Sequence, residues 1–272
     1  MKQLTKNIFI ETEWPGANVG CITTSEGLVL IDTPHNPSDA MKWKQVVENK
    51  GTVKYLINTE SHEDHFLCDF FFQVPVVAHE KAREGIINSN LKQMLGVIAL
   101  KDPAGFPLLK DYKLNVPSIT FSQNLTFYLG KHTFQLIHFG GHSAGLISII
   151  IPEEKVVFAG DNVHNKMQAF THEADPYAWL DAIDKISMMN IDYIVPGHGE
   201  AGDKSILKAE KDFVQDSIRK VKNAIKQGWT REETIARVSF ERDPLDYGMG
   251  DYGKVLLDMS VSRMYEFLSK KE

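Results

Sequence analysis

Five side chains able to bind metal stand within six residues at Glu60-Ser61-His62-Glu63-Asp64-His65, just after the apolar run Val53-Lys54-Tyr55-Leu56-Ile57. Two histidines and three carboxylates so close together repel and desolvate one another in an interior unless a cation neutralises them. A strand that ends in such a cluster presents it at a sheet edge, where loops carry chemistry. The chain must therefore build a sheet whose strand end is polar and reachable. A metal site and a merely charged loop are the two readings of this stretch alone.

The rest of the chain supplies the sheets. Leu28-Val29-Leu30-Ile31 is apolar on both faces, which places it centrally in a sheet covered on both sides, and Asp32 ends it. Before it, residues 2–11 and 19–24 read as strands around a turn at 13–18. Pro37, Ser38 and Asp39 start a helix over about 40–49. Residues 70–77 read as a strand and 79–88 as a helix. From Ile119 the apolar period is two, with strands predicted at 119–121, 125–129, 132–139, 146–151 and 156–159. A helix at 176–188 and a strand at 191–195 follow, and then helices at 204–227, 231–238 and 252–269. A β-rich half followed by a helical part thus occurs twice, which two sheets packed face to face with helices outside would satisfy. The expected domain covers residues 1–202, with 91–116 an inserted flap. Residues 203–272 form a helical segment packed on the same domain.

Composition narrows the partners. At 272 residues, 43% hydrophobic and 24% charged, the chain can bury a substantial core. A net charge of -6 and a pI near 5.9 give no reason to expect nucleic acid. No apolar run approaches the roughly 18 residues of a membrane span, and no secretory leader pattern opens the sequence. Cys21 and Cys68 do not make a disulfide framework. The expectation is a cytoplasmic protein with a small-molecule substrate and no membrane partner, with homo-oligomerisation left open.

Three more features fall at strand ends: Gly140-Gly141-His142-Ser143-Ala144-Gly145, Phe158-Ala159-Gly160-Asp161-Asn162 and Val195-Pro196-Gly197-His198-Gly199. Each alone is weak, because a histidine in a glycine turn is usually structural or exposed. In this order, with Asp32 and the 60–65 cluster, they resemble the metallo-β-lactamase superfamily. That family builds a binuclear metal site from a His-x-His-x-Asp-His loop, a later His, an Asp and a final His. The resemblance spans about the first 200 residues and implies an α/β fold, the αββα sandwich, here with a C-terminal helical extension. It implies that His62 and His142 hold the first metal, that Asp64, His65 and His198 hold the second, and that Asp161 bridges them. Asp32 would support the ligand loop by hydrogen bonds without touching metal. The implied cofactors are two divalent ions, zinc foremost, with iron or manganese as alternatives.

One position departs from the pattern: Glu60 stands where the family has its first histidine. Glu60 is a ligand through oxygen, or it leaves the first position weak or empty, or it is a base without metal contact. A carboxylate there makes the site harder and more negative.

The resemblance implies a hydrolase in which a hydroxide held between two ions attacks an ester, lactone, thioester or amide, β-lactams included, with Asp64 as proton acceptor. Lactonase and glyoxalase II-like activities belong to the same class. The rival readings are a di-iron redox protein acting on oxygen or nitric oxide, and a non-catalytic binding member. Trp14, at the tip of the first turn, is a candidate substrate contact. So are His164 and Asn165, just past Asp161, and Tyr247 and Tyr252 between the tail helices. His35 can approach the site. His79 reads as a helix cap, His132, His138 and His172 as surface or satisfied polar residues, and Cys68 as packing.

Overall fold

Val29 and Ile31 turn to one side of their strand while Leu28 and Leu30 turn to the other, and all four are buried. That period-two burial on both faces sets the layers. The structure, a computed structural model, describes residues 1–242 and 250–270. Among them, the first sheet runs in chain order through β1 (Lys2–Gln3), β2 (Ile8–Glu11), β3 (Val19–Thr24), β4 (Gly27–Ile31), β5 (Val53–Ile57), β6 (Val76–His79) and β7 (Ile119–Phe121). Pairing is antiparallel from β1 to β4 and parallel from β4 to β7. The second sheet holds β8 (Asn124–Leu129), β9 (His132–His138), β10 (Ile147–Ile151), β11 (Val156–Asn165) and β12 (Tyr193–Gly199), with only β11 and β12 parallel.

Ile8, Ile22, Val29, Ile31 and Ile57 from the first sheet meet Phe134, Leu136, Ile147, Ile149 and Phe158 from the second in one apolar layer. Each such side chain contributes on the order of 1.5–3 kcal/mol by leaving water. Outside the first sheet, α1 (Pro37–Glu48) seats Trp43 and Val47 on Leu28, Leu30 and Leu56. Two short helices, α2 (Glu63–Phe66) and α3 (Glu80–Ile87), follow β5 and β6. Residues 91–116 carry α4 (Leu91–Lys101) and a 3-10 turn; Met94, Ile98 and Leu109 join Ala40, Phe66, Leu67 and Cys68 in one cluster. The expected flap thus has its inner face packed beside the metal-type loop, while Leu100, Phe106 and Leu108 face solvent. Outside the second sheet lie α5 (Pro176–Met188), α6 (Ile206–Lys226), α7 (Arg231–Arg237) and α8 (Gly250–Ser269). Trp179, Val214, Val221, Val261 and Met264 bury together there, so the C-terminal helices are part of the outer layer. The result is an αββα sandwich.

Three local expectations need correction. The predicted strand at 70–77 is a 3-10 turn over Leu67–Phe71, and strand begins only at Val76. Buried Asp69 closes that turn through Phe72 N–H to Asp69 O and accepts the Thr33 hydroxyl, an option the apolar pattern hides. The first strand divides in two, because Leu4 and Thr5 N–H turn back onto Ile8 O. β11 and β12 run past their predicted ends at 159 and 195, with register shifts that keep polar residues paired.

Asp102 ties the 91–116 segment to α1. Its carboxylate accepts Ser38 N–H and Oγ–H, each at 2.8 Å, and Gly105 N–H at 2.9 Å. Burial opposes its charge, but these donors hold the carboxyl below the usual carboxylate range. Asp102→Ala should cost about 2 kcal/mol in chemical denaturation. Because the folded carboxyl is the stronger acid, its contribution is full above the unfolded value of about 4 and fades as pH falls through the lower, folded one. The difference between wild type and variant should therefore shrink in strong acid, and a constant difference from pH 7 to pH 2 would reject this assignment.

Candidate metal centre

Every donor of the predicted set follows the carboxyl end of β5, lies in the carboxyl half of β11 or β12, or sits in the glycine turn before β10, and Asp32 follows β4. Asp32, just past β4, adopts φ +52°, a left-handed conformation that aspartate tolerates better than most residues. There it accepts Thr59 N–H at 2.7 Å and Thr59 Oγ–H at 2.6 Å, and it lies 2.9 Å from His65 Nδ1. A carboxylate only accepts, so Asp32 keeps a proton on His65 Nδ1, and Nε2 is the nitrogen that would be bare toward a bound cation. Asn18 ties the loop after β2 to the β12 end through Pro196 O at 2.8 Å and Gly199 O at 2.7 Å. Asn162 accepts His142 N–H at 3.0 Å and donates to Gly140 O at 2.7 Å, fixing the glycine turn. Gly197 has to be glycine: a Cβ there would stand 1.8 Å from Asp161 Oδ1.

Two donor groups result. Glu60, His62, His142 and Asp161 each offer an atom within 4.8 Å of the others, and so do Asp64, His65 and His198. Glu60 Oε2 lies 2.7 Å from His62 Nδ1, and His142 Nε2 lies 3.2 Å from the same nitrogen. Asp161 faces both groups. Its Oδ1 is 3.2 Å from His65 Nε2, and its Oδ2 is 3.6 Å from His142 Nε2 and 3.3 Å from His198 Nε2. His198 Nε2 is also 3.3 Å from Asp64 Oδ2.

The donors fit a cation. Glu60 is fully buried with Oε2 2.7 Å from His62 Nδ1 and Oε1 without a hydrogen bond, and His65 Nε2 and Asp161 Oδ1 face each other at 3.2 Å. Buried polar atoms without partners need an explanation. Here the imidazole nitrogens and carboxylate oxygens crowd together within 4.8 Å in each group. Two donors each about 2.1 Å from one tetrahedral ion lie about 3.4 Å apart, close to several spacings in this centre.

The electrostatics are those of a site waiting for positive charge. Burial pushes the His62 imidazole down, but Glu60 and Glu173 hold it well above its usual range. Burial likewise opposes His65, which Asp161 and Asp32 hold well above that range. His142 goes the other way, because burial and the neighbouring His62 and His164 outweigh Asp161. Burial works against the Asp161 charge, and His198, His65 and His164 still hold its carboxyl well below the carboxylate range. Desolvation opposes the Asp64 charge as well, and His65 and His198 hold its carboxyl at about 2.

The candidate substrate contacts divide. Trp14 is half-buried, edge-on to the buried Trp43 with centroids 6.3 Å apart, so the expected exposed loop tip is anchored in the outer core. Asn165 donates to Glu200 O at 2.8 Å and ties the strand ends together. Tyr252, exposed on α8, is pushed up by partial burial and by the Glu63 and Asp64 carboxylates, which places it within their field. Tyr247 lies outside the described residues. His164 is buried, with Nε2 3.4 Å from Asp161 Oδ2. His79 does cap its helix, accepting Lys81 N–H.

The reading of His172 as a surface or satisfied polar residue needs correction, and Glu173 beside it was passed over. His172 stacks on His62 with centroids 5.3 Å apart, and Glu173 Oε2 lies 3.4 Å from His62 Nε2. With His62 they form another donor group. A His-Glu pair just ahead of the Asp175-Pro176 helix start was the available signal.

Known proteins agree with this architecture. Residues 12–198 match the sequence pattern of the metallo-beta-lactamase superfamily. The chain is 25% identical over 226 residues to a metallo-beta-lactamase type 2 of Elizabethkingia meningoseptica, covering 80% of this chain and 82% of that protein. It is 26% identical over 231 residues to the type 2 enzyme of Bacillus cereus, covering 79% and 82%. A solved metallo-beta-lactamase from Pontibacter korlensis shares the fold with a TM-score of 0.63 at 22% identity, over 79% of this chain and 97% of that one. The match begins ahead of β3 and ends at the last predicted donor, His198, and on that extent the chain belongs to the metallo-beta-lactamase superfamily.

Proposed function

We propose that the chain is a metal-dependent hydrolase that binds two divalent ions and cleaves an ester, lactone, thioester or amide, β-lactams included. The observation that carries this is the pair of donor groups joined through Asp161, with Glu60 fully buried among them and its Oε1 without a hydrogen bond. Glu60, His62 and His142 would hold one ion, Asp64, His65 and His198 the other, and Asp161 both. When bound, such ions lower the pKa of bound water toward about 7 and polarise the oxygen under attack. Asp64 is partly open to solvent and anionic through the neutral range, so it can accept a proton at the mouth of the site.

Glu60 tunes this chemistry. With Asp64 and Asp161 it brings three carboxylates to the ions, where a histidine at 60 would leave two. The extra negative charge weakens the Lewis acid, moves the acidic limb of the pH–rate profile upward, and favours harder ions such as manganese or iron beside zinc. Elemental analysis of the purified protein should find near two ions per chain, falling toward one in Glu60→Ala. Glu60→His should keep two and move the acidic limb to lower pH. A single ion in wild type, unchanged in Glu60→Ala, would reject Glu60 as a ligand and the two-ion reading with it. A screen of lactones, thioesters and β-lactams then identifies the bond.

A further inference from the structure

Three imidazoles of the centre have a carboxylate on their far side. His65 Nδ1 has Asp32 at 2.9 Å, His62 Nε2 has Glu173 at 3.4 Å, and His164 Nδ1 has Glu210 at 3.4 Å. A carboxylate behind a histidine fixes the ring and tautomer and makes the front nitrogen a better donor, which is how metal-bound histidines are held. For His65 and His62 the front nitrogen belongs to the predicted ligand set. For His164 nothing has yet explained it.

The support behind His164 is deeply built. Glu210 is fully buried and lies on α6 in line with Leu207 and Val214, on the apolar stripe of the helix. An acid there is costly unless it is paired. Its Oε2 accepts His164 N–H at 3.3 Å and the Arg242 guanidinium at 2.8 Å. Arg242 is itself held by Gln168 Oε1 at 2.8 Å and Met167 O at 3.1 Å. Glu210 Oε1 makes no hydrogen bond and faces the ring. In front, His164 Nε2 approaches Asp161 Oδ2 to 3.4 Å, nearly the 3.3 Å at which His198 Nε2 meets the same oxygen. His164 and His198 are register partners on β11 and β12, and their rings stack almost parallel at 5.4 Å. Asp161, His164 and His198 accordingly form a donor group of their own.

We propose that His164 is a further metal ligand on the Asp161–His198 side of the centre, with Nε2 as donor, and that Glu210, neutralised by Arg242, is its positioning residue. This rests on the two-ion reading. It makes the C-terminal helical segment part of the metal centre, since α6 supplies Glu210 and the chain before α8 supplies Arg242.

The test is titration of chelator-stripped protein with Zn²⁺ against a chromophoric competitor, together with the visible spectrum of the Co²⁺ form. Wild type should bind two ions. In His164→Gln one of them should weaken 10–100-fold, with an altered cobalt band and a metal-free melting temperature near that of wild type. Glu210→Gln should weaken the same ion about tenfold, and the double variant should be no weaker than His164→Gln, because both act through one ligand. Two ions in wild type and unchanged affinities and cobalt spectrum in His164→Gln would overturn this proposal alone. No ion in wild type would overturn the hydrolase reading as well. Should His164→Gln fail to fold, the Glu210→Gln cobalt spectrum decides, and an unaltered band rejects the assignment.

Discussion

Asp161→Asn should leave the protein with at most one metal ion and reduce hydrolysis by about 10³-fold. Asp161 lies within 3.6 Å of imidazoles of both donor groups, with one oxygen toward His65 and the other toward His142 and His198. Breaking a buried charge network by removing one member costs about 3–5 kcal/mol, and 4 kcal/mol is about three powers of ten. Asparagine keeps the shape, which matters because Gly197 packs against Oδ1 too closely to admit a longer side chain. The loss therefore falls on charge and on the second donor oxygen. The metal-free variant should also unfold more readily, since His65, His164 and His198 lose the anion that now screens them from one another. Metal per chain by elemental analysis, beside kcat/KM on whichever ester or lactone the wild type cleaves, measures both effects. Two ions at undiminished activity would sink the bridging role.

Much of this was legible because the informative patterns are local. Leu28 to Ile31 announces a doubly covered strand, and a polar cluster after Val53–Ile57 announces what that sheet edge carries. The donor residues come together because they follow β5, lie in the carboxyl halves of the parallel strands β11 and β12, or sit in a glycine turn, and parallel strands bring such segments to one side. What stayed hidden depends on contacts far apart in sequence. Glu210 drew no sequence reading, yet it sits three residues after buried Leu207 and four before buried Val214. An acid on the apolar stripe is a signal, but its partner His164 is 46 residues away. His172 and Glu173 were lost for a similar reason: a polar loop has no period, and only the folded chain lays it on His62. The strand expected at 70–77 failed because Asp69 closes a turn there with Thr33, which the apolar neighbours Phe70 and Phe71 conceal.

Asp32 separates stability from metal affinity, and two substitutions should show it. Asp32→Ala puts alanine at φ +52°, which costs roughly 1–2 kcal/mol, and strands the buried Thr59 N–H, worth a further 1–3 kcal/mol by order of magnitude. A drop of about 2–5 kcal/mol is expected, with metal affinity falling about 10–100-fold as His65 loses its support. Asp32→Asn keeps a residue that tolerates the left-handed backbone, and little stability should go. Its amide, however, cannot serve both neighbours. With its oxygen toward Thr59 N–H, its NH₂ group confronts His65 Nδ1 and drives the imidazole proton onto Nε2, the nitrogen that must be bare to bind a cation. Turned over, the NH₂ group meets Thr59 N–H instead. The first orientation avoids setting donor against donor at Thr59, so Asp32→Asn should lose nearly as much metal affinity as Asp32→Ala while melting within a few degrees of wild type. Calorimetric melting of the metal-free proteins and competitive Zn²⁺ titration give the two quantities independently. If Asp32→Asn bound metal as tightly as wild type, the tautomer of His65 would not be set by Asp32, and its carboxylate would serve only to hold the loop.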